Sequence, residues 1–185
     1  MSRRRAMLPA VAGLTMALML VSAAAAAPAD SPALTPWAGS APPSFALDDL
    51  RGARRDLQDF RGKVVLVHFF ATWCEPCVAE LTALQALARQ AREHLTVVAV
   101  DVAEVELRLR AFFEKLPVEF PVLLDRDRAV TKAWGIASLP STVVLDPDLV
   151  PRFAVERDLD WSRPDILATL ETLFPAGRRA AGPTH

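Results

Sequence analysis

The apolar positions change rhythm along this chain, and each change predicts an element. Val64 to Phe70 is a nearly unbroken apolar, β-prone run. A strand without alternation is buried on both faces, as at the centre of a parallel sheet. His68 is its one polar member. Cys77, Leu81, Leu84, Ala88 and Ala91 then recur at helical spacing, with Leu87 beside them. Pro76 suits the first turn of that helix, where its missing N–H costs nothing. Leu95 to Val100 predicts a second buried strand, ending at Asp101. Val105, Leu109, Phe112 and Leu116 mark a second helix, with Phe113 alongside. Phe120 to Leu124 is a short extended piece, which Pro121 confines to an edge or to an approach outside the ladder.

The remaining pattern is shorter in period. Phe45-Ala46-Leu47 and Ala53 to Asp56 flank Arg51-Gly52, which predicts a β-hairpin. Asp127 is placed to cap a short helix through Val130, Ala133 and Trp134, with Gly135 as its stop. Ser141 to Leu145 and Pro151 to Val155 predict a second hairpin around Asp146-Pro147-Asp148. Ser162 and Asp165 frame the start of a last helix carrying Ile166, Leu167, Leu170, Leu173 and Phe174. Helices between strands at this spacing mean a layered α/β domain over residues 44–174. Residues 175–185 read as a frayed tail.

The first 43 residues belong to none of this. Arg3, Arg4 and Arg5 precede 22 uncharged residues, 6–27, that end in a run of alanines. Residues 1–27 therefore read as an export signal or as an uncleaved membrane anchor. Either places the domain outside the cytoplasm. Residues 28–43 hold five prolines among small residues and read as an extended linker, with Trp37 tethered in it or docked on the domain. Removing the charges of Arg3–Arg5 takes the net charge from −1 to −4. An acidic body offers no basic surface for nucleic acid, and none is expected as a partner.

Both cysteines, Cys74 and Cys77, sit between the central strand and its helix. A disulfide across so short a loop constrains the unfolded chain little, so a structural staple is the weaker reading. The attacking species in disulfide exchange is a thiolate. Cys74 falls at a helix N-terminus, where unpaired N–H groups and the dipole stabilise an anion. Cys74 is thus the candidate nucleophile, and Cys77, one turn deeper, the candidate resolving thiol. The redox-active group is the Cys74–Cys77 disulfide itself; no other cofactor and no metal are expected.

Val64 to Leu81, with Trp73-Cys74-Glu75-Pro76-Cys77, resembles the thioredoxin superfamily. The hairpin module at 44–63, the Phe120–Asp125 insert and the Gly135 to Thr142 segment narrow the resemblance to exported TlpA/ResA-like thiol–disulfide oxidoreductases. The resemblance covers roughly Pro43 to Phe174. It implies a thioredoxin fold, a central mixed sheet flanked by helices, with an N-terminal β-hairpin and a βα insert. It implies a cis Leu139-Pro140 bond facing the cysteines, with its backbone toward the substrate chain, and Trp73 covering the site. It also implies reduction of oxidised exported proteins, with electrons from an integral membrane dithiol carrier. Apocytochrome c is one such client class.

Four residues tune or question that picture. Glu75 puts negative charge beside Cys74 and opposes its thiolate, which implies a low reduction potential. Glu80 resembles a family glutamate that handles the proton of Cys77; the alternative is an ordinary solvated helix glutamate. His68 departs from relatives, which commonly have Asn there. It is either a neutral, hydrogen-bonded core residue or a proton relay beneath Cys77 near neutral pH. Ser138 stands where relatives often have Gly.

Rival readings use the same cysteines. A metal (copper) binding or delivery protein needs more ligands than one Cys pair, and His68, His94 and His185 have no ligand spacing to it. A c-type haem site would need His where Val78 stands. A peroxiredoxin-like antioxidant needs a threonine on the approach to its cysteine, and Thr72 is one place too close.

Overall fold

A computed structural model of the chain describes residues 33–175. The expected signal or anchor, the first part of the linker and nearly all of the tail lie outside these residues.

The elements in order are β1 (Thr35–Pro36), β2 (Ala46–Asp48), β3 (Arg54–Asp56), a 3-10 turn (Leu57–Phe60), β4 (Val64–Phe70), α1 (Glu75–Gln90), β5 (Leu95–Val102), α2 (Glu106–Lys115), β6 (Val122–Asp125), α3 (Ala129–Ala133), β7 (Ser141–Leu145), β8 (Pro151–Val155) and α4 (Pro164–Glu171). Six strands form one sheet in the order β1-β8-β7-β4-β5-β6, and β2 and β3 pair separately. β4 runs parallel to β5 and antiparallel to β7, so it occupies the middle of a mixed sheet. All seven of its residues are buried. β6 is parallel to β5 at one edge; Pro121 precedes its first paired residue, Val122, and its carbonyl accepts the Ala99 N–H at 3.0 Å.

Two apolar layers enclose the sheet. On one face Val64, Leu66 and Phe70 of β4 meet Leu81 and Leu84 of α1, Leu109 and Phe113 of α2, and Ile166 and Leu170 of α4. On the other, Val65, Val67 and Phe69 meet Phe45 and Leu57 of the hairpin module and Val130 and Trp134 around α3. Each such buried side chain contributes about 1.5–3 kcal/mol relative to exposure. Gly135, at φ +67°, ends the α3 turn in the left-handed conformation that suits glycine. Among the described residues no helix is long and apolar enough to cross a membrane.

Three local expectations are corrected. Thr35–Pro36, inside the stretch read as linker, pairs antiparallel with Phe153 and Ala154 as an edge strand. Trp37 is half-buried against the second cluster, and its backbone N–H donates to Arg152 O at 2.9 Å. The cap of α3 comes mainly from Asp125, whose carboxylate accepts the N–H groups of Val130 and Thr131; Asp127 reaches only Ala129 N. Ser162 turns back to Asp160, and α4 starts after Arg163 without a side-chain cap.

Candidate active site

The site forms where β4 stops and α1 begins. Cys74 is the N-cap of α1 in extended backbone, and Pro76 lies in the first turn. Its Sγ accepts the Cys77 N–H at 3.3 Å, satisfying one orphan donor of the helix end. Cys74 and Cys77 are joined in a disulfide, with their Cα atoms 5.2 Å apart. Cys74 keeps a 6% exposed face and Cys77 none. Trp73, Glu75 and Pro76 form an exposed rim around that face.

Leu139-Pro140 is a cis peptide bond. Pro140 is buried, and Leu139 packs against the cluster that contains both cysteines. The loop before it is held by its own hydroxyls. Ser138 Oγ donates to Glu156 O at 3.0 Å, and Ser141 Oγ to Ser138 O at 2.7 Å.

Behind the cysteines lies a buried polar pair. Glu80 is one turn beyond Cys77 on the same helix face. It is buried, which removes the reading of a solvated helix glutamate. Its Oε1 accepts Leu159 N–H at 2.5 Å and Trp161 Nε1–H at 3.0 Å, while Oε2 has no hydrogen-bond partner. Burial raises its pKa to about 7, against those two donors and with help from the nearby Asp158 charge. His68, fully buried on β4, faces the same space. Its Nδ1 is 2.9 Å from Thr142 Oγ1 and 3.9 Å from Glu80 Oε2, and Nε2 is unpartnered. Burial lowers its pKa to about 3. His68 is therefore neutral across the physiological range, and a relay by His68 titrating near neutral pH is set aside. Of this pair, Glu80 is the group that titrates near that pH. An unpaired buried N–H is rarer than an unpaired acceptor. The neutral ring thus carries its proton on Nδ1 and donates toward Thr142.

A second acidic group braces the approach to Cys74. Thr72 donates to Glu104 twice, from N–H at 2.5 Å and from Oγ1 at 2.7 Å. Glu104 N–H donates to Asp101 Oδ2 at 2.9 Å. Asp101 is level with Phe70 in the ladder, and burial, reinforced by Glu104, pushes its carboxyl up to about 7.

Thr142, Trp161, Glu104 and Asp101 escape a sequence reading. Trp161 carried one usable signal, a lone tryptophan in a run of charged residues from Glu156 to Arg163.

A central strand leading into a disulfide at a helix N-cap, with a cis-proline loop packed against the same cluster, defines a thioredoxin-fold thiol–disulfide protein. Comparison with known proteins agrees. The AhpC/TSA family profile matches residues 38–153. The ResA thiol–disulfide oxidoreductase of Geobacillus thermodenitrificans is 33% identical over 138 residues, 74% of this chain and 78% of that protein. ResA of Geobacillus kaustophilus is 36% identical over the same shares. The crystal structure of the exposed lipoprotein thioredoxin Etrx1 of Streptococcus pneumoniae superposes with a TM-score of 0.64 at 25% identity, covering 71% of this chain and all of that one. The chain belongs to the AhpC/TSA family and, within it, to the ResA-type thiol–disulfide oxidoreductases.

Proposed function

We propose that this oxidoreductase works as a reductase of disulfides in proteins outside the cytoplasm, with Cys74 as nucleophile and Cys77 as resolving thiol. The observation that carries the assignment is the difference in access: Cys74 keeps a small exposed face at a helix N-cap, and Cys77, one turn deeper, keeps none. The Cys74 thiolate attacks one sulfur of a client disulfide. A Cys74–client bond forms, the client S–S bond breaks, and the leaving thiolate takes up a proton. Cys77 then gives its proton to the Glu80 carboxylate, and its thiolate attacks Cys74 Sγ. The Cys74–Cys77 disulfide forms and the second client thiol is released. The client has gained two electrons, which an integral membrane dithiol donor resupplies.

Glu80 suits the second step because a carboxyl titrating near 7 exchanges protons readily at neutral pH. The reducing direction rests on Glu75, whose exposed charge beside Cys74 disfavours the thiolate and so lowers the potential. Location outside the cytoplasm rests on Arg3–Arg5 and the uncharged 6–27 segment, as signal or anchor. Apocytochrome c cysteines before haem attachment are one client class that the ResA relationship supports. A peroxidase is disfavoured, since the Thr72 hydroxyl is turned to Glu104.

The test is mixed-disulfide trapping. Cys77→Ala should accumulate a covalent client adduct, Cys74→Ser should form none, and both should lose multiple-turnover reduction. An adduct on Cys77 in Cys74→Ser would reverse the roles. A measured potential near the strong-oxidant value of about −120 mV would reverse the direction.

A further inference from the structure

Beside the disulfide lies a cavity of about 320 Å³, lined chiefly by Trp73, Val102, Ala103, Arg128, Ile136 and Leu139. It touches the residue before Cys74 and the residue before the cis-proline. Its walls mix apolar side chains with the hydroxyl residues Thr131 and Ser138, and Arg128 is the only charged residue among all those that line it. Trp73 is 68% exposed, a large apolar surface left to water at the mouth of the site.

Two backbone observations point to the same place. Among the described residues three non-glycines have positive φ: Ala103 at 64°, Arg128 at 61° and Leu149 at 63°. Leu149 serves the β7–β8 turn, where its N–H donates to Asp146 O. The other two line this cavity. Left-handed backbone costs a non-glycine about 1–2 kcal/mol, and it persists only where surroundings hold it. At Arg128 the holder is visible. Asp125 takes the Arg128 N–H on its backbone oxygen at 3.0 Å and the Val130 and Thr131 N–H groups on its carboxylate.

The charge at Arg128 is also unspent. Its neighbour Arg126 is tied to Asp48 and Glu106. Arg128 has no carboxylate within ion-pair distance among the described residues, although the body of the protein is acidic. A guanidinium beside the apolar part of this lining, Trp73, Ile136 and Leu139, is complementary to a carboxylate next to an apolar side chain.

We infer that this cavity is a client subsite for an extended polypeptide segment that carries an acidic residue close to its cystine, the carboxylate pairing with Arg128 and an apolar side chain lying on Trp73, Ile136 and Leu139. The inference rests on the reductase reading above and adds the class of sequence that the enzyme prefers.

The test uses two synthetic peptides, each closed by one disulfide and identical except for Asp or Lys beside one cysteine. The pre-reduced full chain is mixed with each at low ionic strength, and the two second-order rates are compared. The readout is their ratio, which a loss of folded protein does not move. Wild type should favour the Asp peptide by about fivefold. Arg128→Gln should bring the ratio near one, and Arg128→Glu should invert it. Lys132→Gln, a charge removed from α3 outside the cavity lining, should keep the wild-type ratio. Equal rates in wild type, an unmoved ratio in Arg128→Glu, or the same loss in Lys132→Gln would each overturn the subsite while leaving the reductase standing. Failure of the wild type to reduce either peptide would remove the reductase reading, and the subsite with it.

Discussion

The two faces of β4 are made from one apolar run, yet they do different work. On one face Val65, Val67 and Phe69 pack into an apolar cluster. Trp134 stacks at a tilt between Phe45, at 5.4 Å, and Phe69, at 5.7 Å. On the other face His68 interrupts the run and meets Glu80, and each leaves one buried polar atom unpartnered. Such atoms cost about 1–3 kcal/mol apiece. The cost is concentrated on the face that carries Cys77. The first face holds the sheet together; the second gives up stability to keep a titratable carboxyl behind the thiols.

The strongest way to test that contrast is to damage the apolar face. Phe69→Ala should lower stability by about 3–5 kcal/mol. Phe69 packs within an apolar cluster, so the loss should be the same at pH 5 and pH 8 in denaturant melts. Per folded molecule, disulfide exchange should persist. A pH-dependent loss would mean that the two faces are coupled through the strand.

How much of this could be seen in the sequence follows the same division. The burial of β4 on both faces was legible, because an unbroken apolar run has no other place in a layered fold. The cysteine pair at the start of α1 was legible, because its context is local. The polar pair was only half legible. His68 and Glu80 each stood out, but their relation depends on Thr142 and Trp161, which lie 74 and 81 positions away from them. Periodicity carries no information at that range. Thr35–Pro36 as an edge strand was hidden for the same reason, since its partner Ala154 lies 119 positions from Thr35. Asp125 as the cap of α3 is local, five and six positions before the N–H groups it holds, and was passed over because Asp127 stands at the usual cap spacing.

A smaller effect, with a pH signature, is expected on the second face. Burial raises Glu80 from 4.5 to about 7 and lowers His68 from 6.5 to about 3. Between pH 4.5 and 6.5 the folded pair holds one proton, on Glu80, and the unfolded pair also holds one, on His68. The pair therefore adds no slope to stability in that window. From 6.5 to 7 the folded state alone keeps a proton, so stability falls as pH rises. Glu80→Gln resembles the protonated carboxyl. Relative to wild type it should be near neutral at pH 4, with a gain that grows through the Glu80 range to about 3 kcal/mol at pH 8. Denaturant midpoints across that range check it. A variant less stable than wild type at pH 8 would show that the carboxylate holds the fold together.

The finest test separates His68 from Glu80 without touching either. Thr142 lies directly across from His68 in the β4–β7 ladder and is buried. Thr142→Val keeps the shape and removes the oxygen 2.9 Å from Nδ1. The ring N–H then faces Glu80 Oε2, at 3.9 Å. At pH 5 Glu80 is protonated and accepts weakly, so the variant should lose about 1–2 kcal/mol. At pH 8 the carboxylate takes the N–H as a charge-assisted bond, so the loss should shrink. The same bond favours the ionised carboxyl and should move the Glu80 midpoint down, toward its ordinary value. Phe69→Ala, on the far side of the same strand, should show neither change. An equal loss at both pH values would mean that His68 and Glu80 occupy one cavity without acting on each other. His68 would then be a core residue of the second face, as Phe69 is of the first.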